Sequence, residues 1–83
     1  MFTTSRYASL QTRKYAKGIA KEKDESYFNR GKHTISELVE KARKMGEEYI
    51  HIIEEKDKKP AVISTLIINE IGEWKWISEE KIK

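Results

Sequence analysis

Arg6, Arg13, Lys14, Lys17 and Lys21 are the only charged side chains in the first twenty-one residues of this 83-residue chain, and no carboxylate accompanies them. Cations segregated in this way bind polyanions, and a phosphate backbone is the natural one. Residues 1–32 hold eight basic against three acidic residues, a balance of +5, whereas residues 33–83 hold nine against eleven, or −2. The whole-chain charge of +3 conceals this division. A second basic string, Asn29-Arg30-Gly31-Lys32, follows further along. Gly31 there lets the backbone approach a ligand or take a left-handed turn. Gly31-Lys32-His33-Thr34 lacks the upstream glycine and the hydroxyl directly after Lys that a nucleotide-binding loop needs. His33 and His51 have no carboxylate or imidazole partner at ligand spacing, so neither reads as a metal ligand. No nucleophile–base or paired-carboxylate arrangement stands out, and the sequence is read as non-catalytic, without cofactor or metal.

These side chains need elements to hold them. Residues Ser9 to Lys21 read as a helix with Thr12, Tyr15, Ala16, Ile19 and Ala20 on one face and Arg13, Lys14, Lys17 and Lys21 on the other. Ser9 is the expected N-cap, and Arg6 just before it would share a phosphate with the free helix amides. Phe2 to Arg6 reads as a short strand and Glu25 to Arg30 as a second. Thr34-Ile35-Ser36-Glu37 is a capping box that starts a second helix, which Gly46 ends. Tyr49 to Ile53, Val62 to Asn69 and Trp74 to Ile77 are expected strands, with a charged turn from Lys56 to Pro60 and another turn from Glu70 to Glu73. Trp74 and Trp76 share one strand face and are expected to fill core, a stacking platform for bases being the less favoured role.

The order strand-helix-strand-helix-strand followed by a two-strand meander gives an α/β fold, a small mixed sheet parallel early and closed by antiparallel strands. In such a sheet both strand-to-helix loops emerge on one edge, so Arg6 should converge with Arg30 and Lys32.

The length fits one domain, residues 1–83. A chain of this size buries only about 60–65% of its unfolded surface, which leaves little room for a deep cleft. The absence of Cys excludes disulfides and thiolate-held zinc. A secretory signal or membrane-length apolar run is not expected, and the reading is cytoplasmic. Abundant Lys and Glu with few amides give a thermophile-like composition.

Thr4-Ser5-Arg6, then Ser9-x-x-Thr12-Arg13, then Phe28-Asn29-Arg30-Gly31-Lys32 with an amphipathic helix after it, resemble the start of the Brix domain. The resemblance is closest to the archaeal and small-subunit-processome branches of that family. It is good from the N-terminus to about Glu55 and looser over the later strands. It implies ribosome biogenesis: non-catalytic binding of rRNA or pre-rRNA during processing or assembly, with ribosome assembly proteins as further partners and a nucleolar location in a eukaryote. It also implies a fold like the anticodon-binding domain of class II aminoacyl-tRNA synthetases, duplicated into two related halves, and this chain resembles the N-terminal half of the Brix domain only. The family's motif residues map to Ser5, Arg6, Ser9, Thr12, Arg13, Asn29, Arg30, Gly31 and Lys32. Lys14 and Lys17 extend the expected RNA contact along the helix.

A half-domain suggests a homodimer in which an exposed sheet edge or an apolar helix face pairs two copies and imitates the missing half, the motivating feature being the long apolar strand around Ile63 to Ile68. The alternative function is a small protein-interaction or dimerisation module with no direct RNA contact. Its basic face would meet an acidic protein, or its sheet edge another chain.

Overall fold

The computed structural model describes residues 1–82. Its elements are β1 (Phe2–Thr4), α1 (Leu10–Glu22), α2 (Ile35–Lys44), β2 (Tyr49–Lys56), β3 (Lys59–Ile68) and β4 (Trp74–Lys81). The sheet order is β1-β2-β3-β4, with β1 parallel to β2 and the other pairs antiparallel. This is the expected mixed α/β architecture.

Side-chain alternation along β2 divides the core into two. Ile50 and Ile52 pack with Leu66, Ile68, Met1 and the α2 residues Leu38, Val39 and Ala42. Ile53 points the other way, to Phe2 and the α1 residues Ala16 and Ala20. The two helices therefore cover opposite faces of one sheet. The capping box is what starts α2. The Glu37 amide donates to Thr34 Oγ1 at 3.2 Å. In return, the Thr34 amide donates to Glu37 Oε1 at 2.9 Å.

Four expectations are corrected. The segment Glu25 to Arg30 is not a full strand but a single parallel bridge of Tyr27 to Phe2. The pairing does not continue: two residues on, the Thr4 carbonyl accepts from the Arg30 guanidinium, and Gly31 turns the chain at φ +51°. The hairpin turn is also tighter than expected. Asp57 and Lys58 both take positive φ, 53 and 64 respectively in degrees. This mirror-image turn lets pairing start at Lys59. Third, Ile63 to Ile68 is no open edge, because β3 is paired on both sides. The open edge is β4.

Trp74 and Trp76 lie on that edge strand, 36% and 47% exposed, with their rings 5.7 Å apart in an edge-to-face arrangement. They do not fill core, since α2 packs over β2 and β3 and all eight residues of β4 are exposed.

Gly72 closes the β3–β4 turn at φ +88°, and an added Cβ would sit 2.7 Å from the Arg43 guanidinium. Gly72→Ala is expected to destabilise by about 1 kcal/mol or more. Gly18 lies within α1 and faces open space. Gly18→Ala should instead gain about 0.5–1 kcal/mol. Thermal unfolding of the two variants checks the contrast in sign.

Candidate nucleic-acid interface

The chain leaves β1 with the Ser5 amide still donating to the Ile53 carbonyl at 2.9 Å. It then turns outward at Tyr7, which takes φ +57° and donates its amide to the Gly31 carbonyl at 3.2 Å. The two loops thus meet, as the parallel arrangement of the first strands requires. Arg6 and Lys32 are exposed on this edge, together with Asn29 and Gly31, while Ser5 is half-buried.

Arg30 behaves differently. It is only 5% exposed, and its Nε donates to the His33 carbonyl at 2.6 Å while Nη1 donates to the Thr4 carbonyl at 2.8 Å. Burial, and then the nearby Arg6 charge, pulls its ionisation below the ordinary guanidinium value. The guanidinium fork joins the end of β1 to the start of α2. The expectation of Arg30 as a surface phosphate contact is corrected: it shapes the edge on which Arg6 and Lys32 stand.

The start of α1 holds a second departure. Ser9 caps the helix as expected, but an anion already occupies that end. Glu55, from the end of β2, accepts from Ser9 Oγ at 2.9 Å, from Thr12 Oγ1 at 2.6 Å and from the Ser9 amide at 3.2 Å. Ser9 and Thr12 therefore clamp the helix to the β2–β3 hairpin; they do not present a free phosphate cradle. These hydrogen bonds, from Thr12 first and then Ser9, hold the Glu55 carboxyl below its ordinary value of 4.5.

A depressed folded-state value means the clamp contributes fully above the unfolded carboxyl's value and loses that contribution as pH falls through the lower folded one. Glu55→Gln should accordingly narrow its stability gap to the parent chain between about pH 6 and about pH 3, read from unfolding midpoints across pH.

Along α1, Lys14 and Lys17 are exposed, and Arg13 is half-buried. Lys17 Nζ lies 5.6 Å from the Tyr27 ring centre, and Arg6 lies 5.6 Å from that of Tyr7. Arg13 Nε and the Tyr27 hydroxyl are buried without hydrogen-bond partners among the described residues. Burial raises the Tyr27 phenol, against an opposing pull from Arg13. The result is a band of cations with aromatic rings interleaved, running from the loop edge along the helix. Tyr7, 72% exposed, is a member that charge counting missed.

The two histidines have ordinary partners. His33 lies 3.6 Å from Glu37, and His51 packs against Phe2 with its ring tilted by 33° and bonds Thr65 Oγ1 at 2.8 Å. Among the described residues no His, Cys, Asp and Glu group is arranged to hold a metal, and no helix is long and apolar enough to cross a membrane.

No protein-family model matches the sequence, and no curated protein matches it. Solved structures do. Mil, an archaeal Imp4-like protein, superposes with a TM-score of 0.72 at 27% identity, over 88% of this chain and 45% of its own. A probable ribosomal biogenesis protein from Aeropyrum pernix K1 superposes with a TM-score of 0.88 at 23% identity, over 99% of this chain and 46% of its own. The chain is Brix-like. It spans less than half the length of these two neighbours, and the second match extends the likeness beyond the motif-bearing first residues to β2, β3 and β4.

Proposed function

We propose that this Brix-like chain is a non-catalytic RNA-binding unit acting in ribosome biogenesis, with rRNA or its precursor as the ligand. The observation that carries the reading is the band of cations from Arg6 through Arg13, Lys14 and Lys17, a run of sequence with no carboxylate of its own, joined at one sheet edge by Lys32 and Asn29, with Glu55 docked at the helix start through Ser9 and Thr12. A similar fold in a probable ribosomal biogenesis protein supports the setting in ribosome biogenesis. On this reading Arg6, Lys14, Lys17 and Lys32 meet phosphates, Arg13 and Asn29 flank them, and Ser5 and Gly31 shape the loops between. Ser9, Thr12 and Arg30 hold the surface in place. Tyr7 offers an exposed ring face to an unpaired base, backed by Arg6. Ribosome assembly proteins are further partners, and the site of action is the cytoplasm, or the nucleolus in a eukaryotic host.

Filter binding to an rRNA fragment across a salt series tests the reading. Each cation that meets a phosphate contributes about 0.7–0.9 to the slope of log affinity against log salt. Replacing Arg6, Lys14 and Lys17 by Ala should therefore flatten the slope by roughly 2–3. Absent binding at low salt, or a slope unmoved by the triple replacement, would refute it.

A further inference from the structure

Strand β4 is the last of the sheet, and its outer backbone edge has no partner among the described residues. Open edges of this length are templates for another strand, and proteins usually guard them. Trp76 and Ile77 are 47% and 46% exposed on it, and open grooves of about 430 and 570 Å³ flank it on the two faces of the sheet.

The charges of β4 are arranged in a way that decides the partner. Cross-strand neighbours share a face, so the pairing to β3 sorts the strand. Lys75, Ser78 and Glu80, opposite Ile67, Thr65 and Ile63, lie on the α1 side. Trp74, Trp76, Glu79 and Lys81, opposite Ile68, Leu66, Ser64 and Val62, lie on the α2 side. The register shift beside Ile77 is what moves Glu80 to the same face as Lys75.

We propose that β4 pairs antiparallel with β4 of a second copy of this chain, in the register that sets Lys75 opposite Glu80 of the partner subunit. The two-fold axis then passes between Ile77 and Ser78, and the pairing joins two four-stranded sheets into one. In this register the opposed pairs keep to one face each: Lys75 and the partner's Glu80 on the α1 side, Trp74 and the partner's Lys81 on the α2 side. The Lys75–Glu80 ion pair occurs twice, and so does the cation–ring contact of Trp74 with the partner's Lys81. Moving the register by one residue sets the two faces against each other. Moving it by two mismatches the centre and separates Lys75 from Glu80. The lysines that would otherwise guard the edge are thus matched by the strand's own second copy. This inference is independent of RNA binding.

Sedimentation equilibrium over a concentration series tests it, with circular dichroism checking that each exposed-site variant is folded. The parent chain is expected to dimerise. K75E sets Glu against Glu80 of the partner subunit twice and should raise the dissociation constant about tenfold or more. The charge-swapped K75E/E80K chain restores complementarity and should return to within about threefold of the parent. A parent chain monomeric at millimolar concentration would overturn the proposal. A K75E chain that dimerises as well as the parent, or a double variant that stays as weak as K75E, would equally overturn it.

Discussion

Replacing Arg30 with Ala is expected to lower the unfolding free energy by about 2–4 kcal/mol, whereas Arg6→Ala should change it by less than about 0.5 kcal/mol. The two arginines stand a few residues from the same edge and differ in what their guanidinium groups touch. Arg30 is 5% exposed and donates to the carbonyls of Thr4 and His33. Truncation removes two charge-assisted hydrogen bonds and leaves those acceptors facing a void in place of a donor. Thr4 is itself buried, so water does not readily replace the lost partner there. Arg30→Lys should recover only part of the loss, because an ammonium cannot span both carbonyls as a planar fork does. Chemical denaturation measures the stabilities, and the same proteins in an RNA-binding series separate the roles. Arg6→Ala should weaken binding in a folded chain. If Arg30→Ala were as stable as the parent, the guanidinium would be free and the surface reading suggested by the sequence would return.

That contrast marks where local information ends. The capping box at Thr34 and Glu37 and the amphipathic division of α1 are legible because the interacting residues lie within a few positions of each other. The convergence of the two basic loops is also legible, because parallel first strands place their following loops on one edge. The burial of Arg30 is not, since a Lys/Arg-Gly string looks the same whether its guanidinium meets solvent or a carbonyl 26 residues away. Glu55 is hidden for the same reason: nothing near it in sequence distinguishes a carboxylate that caps a helix 46 residues upstream from one in water. Trp74 and Trp76 carry the alternation of a half-buried strand, but edge position is a property of the whole sheet. The strand expected from Glu25 to Arg30 reduces to a bridge, and the Thr4 carbonyl two residues beyond it accepts from the Arg30 guanidinium, a partner that propensity does not reveal.

The other large effect expected is at Tyr7, where stability and binding should move in opposite directions. Its φ of +57° is a conformation that bulky side chains adopt at a cost and that Asn adopts more readily. Its ring is 72% exposed, so little packing offsets that cost. The amide bond to Gly31 fixes the backbone there whatever side chain is attached. Tyr7→Asn should therefore leave the fold intact and raise its stability by a few tenths to about 1 kcal/mol. If the ring is a platform for an unpaired base, the same change should weaken single-stranded RNA binding by about 1–3 kcal/mol, roughly 5- to 150-fold. Duplex RNA of equal length, with its bases already stacked, should bind as before, and Tyr7→Phe should retain the parent affinity for both. Thermal unfolding and fluorescence anisotropy with the two RNAs read these outcomes. A Tyr7→Asn chain that gains stability and loses no single-strand affinity would remove the platform while leaving the phosphate contacts of Arg6, Lys14 and Lys17 standing. A loss equal for single strands and duplex would mean that the ring acts by positioning Arg6, whose guanidinium lies 5.6 Å from its centre.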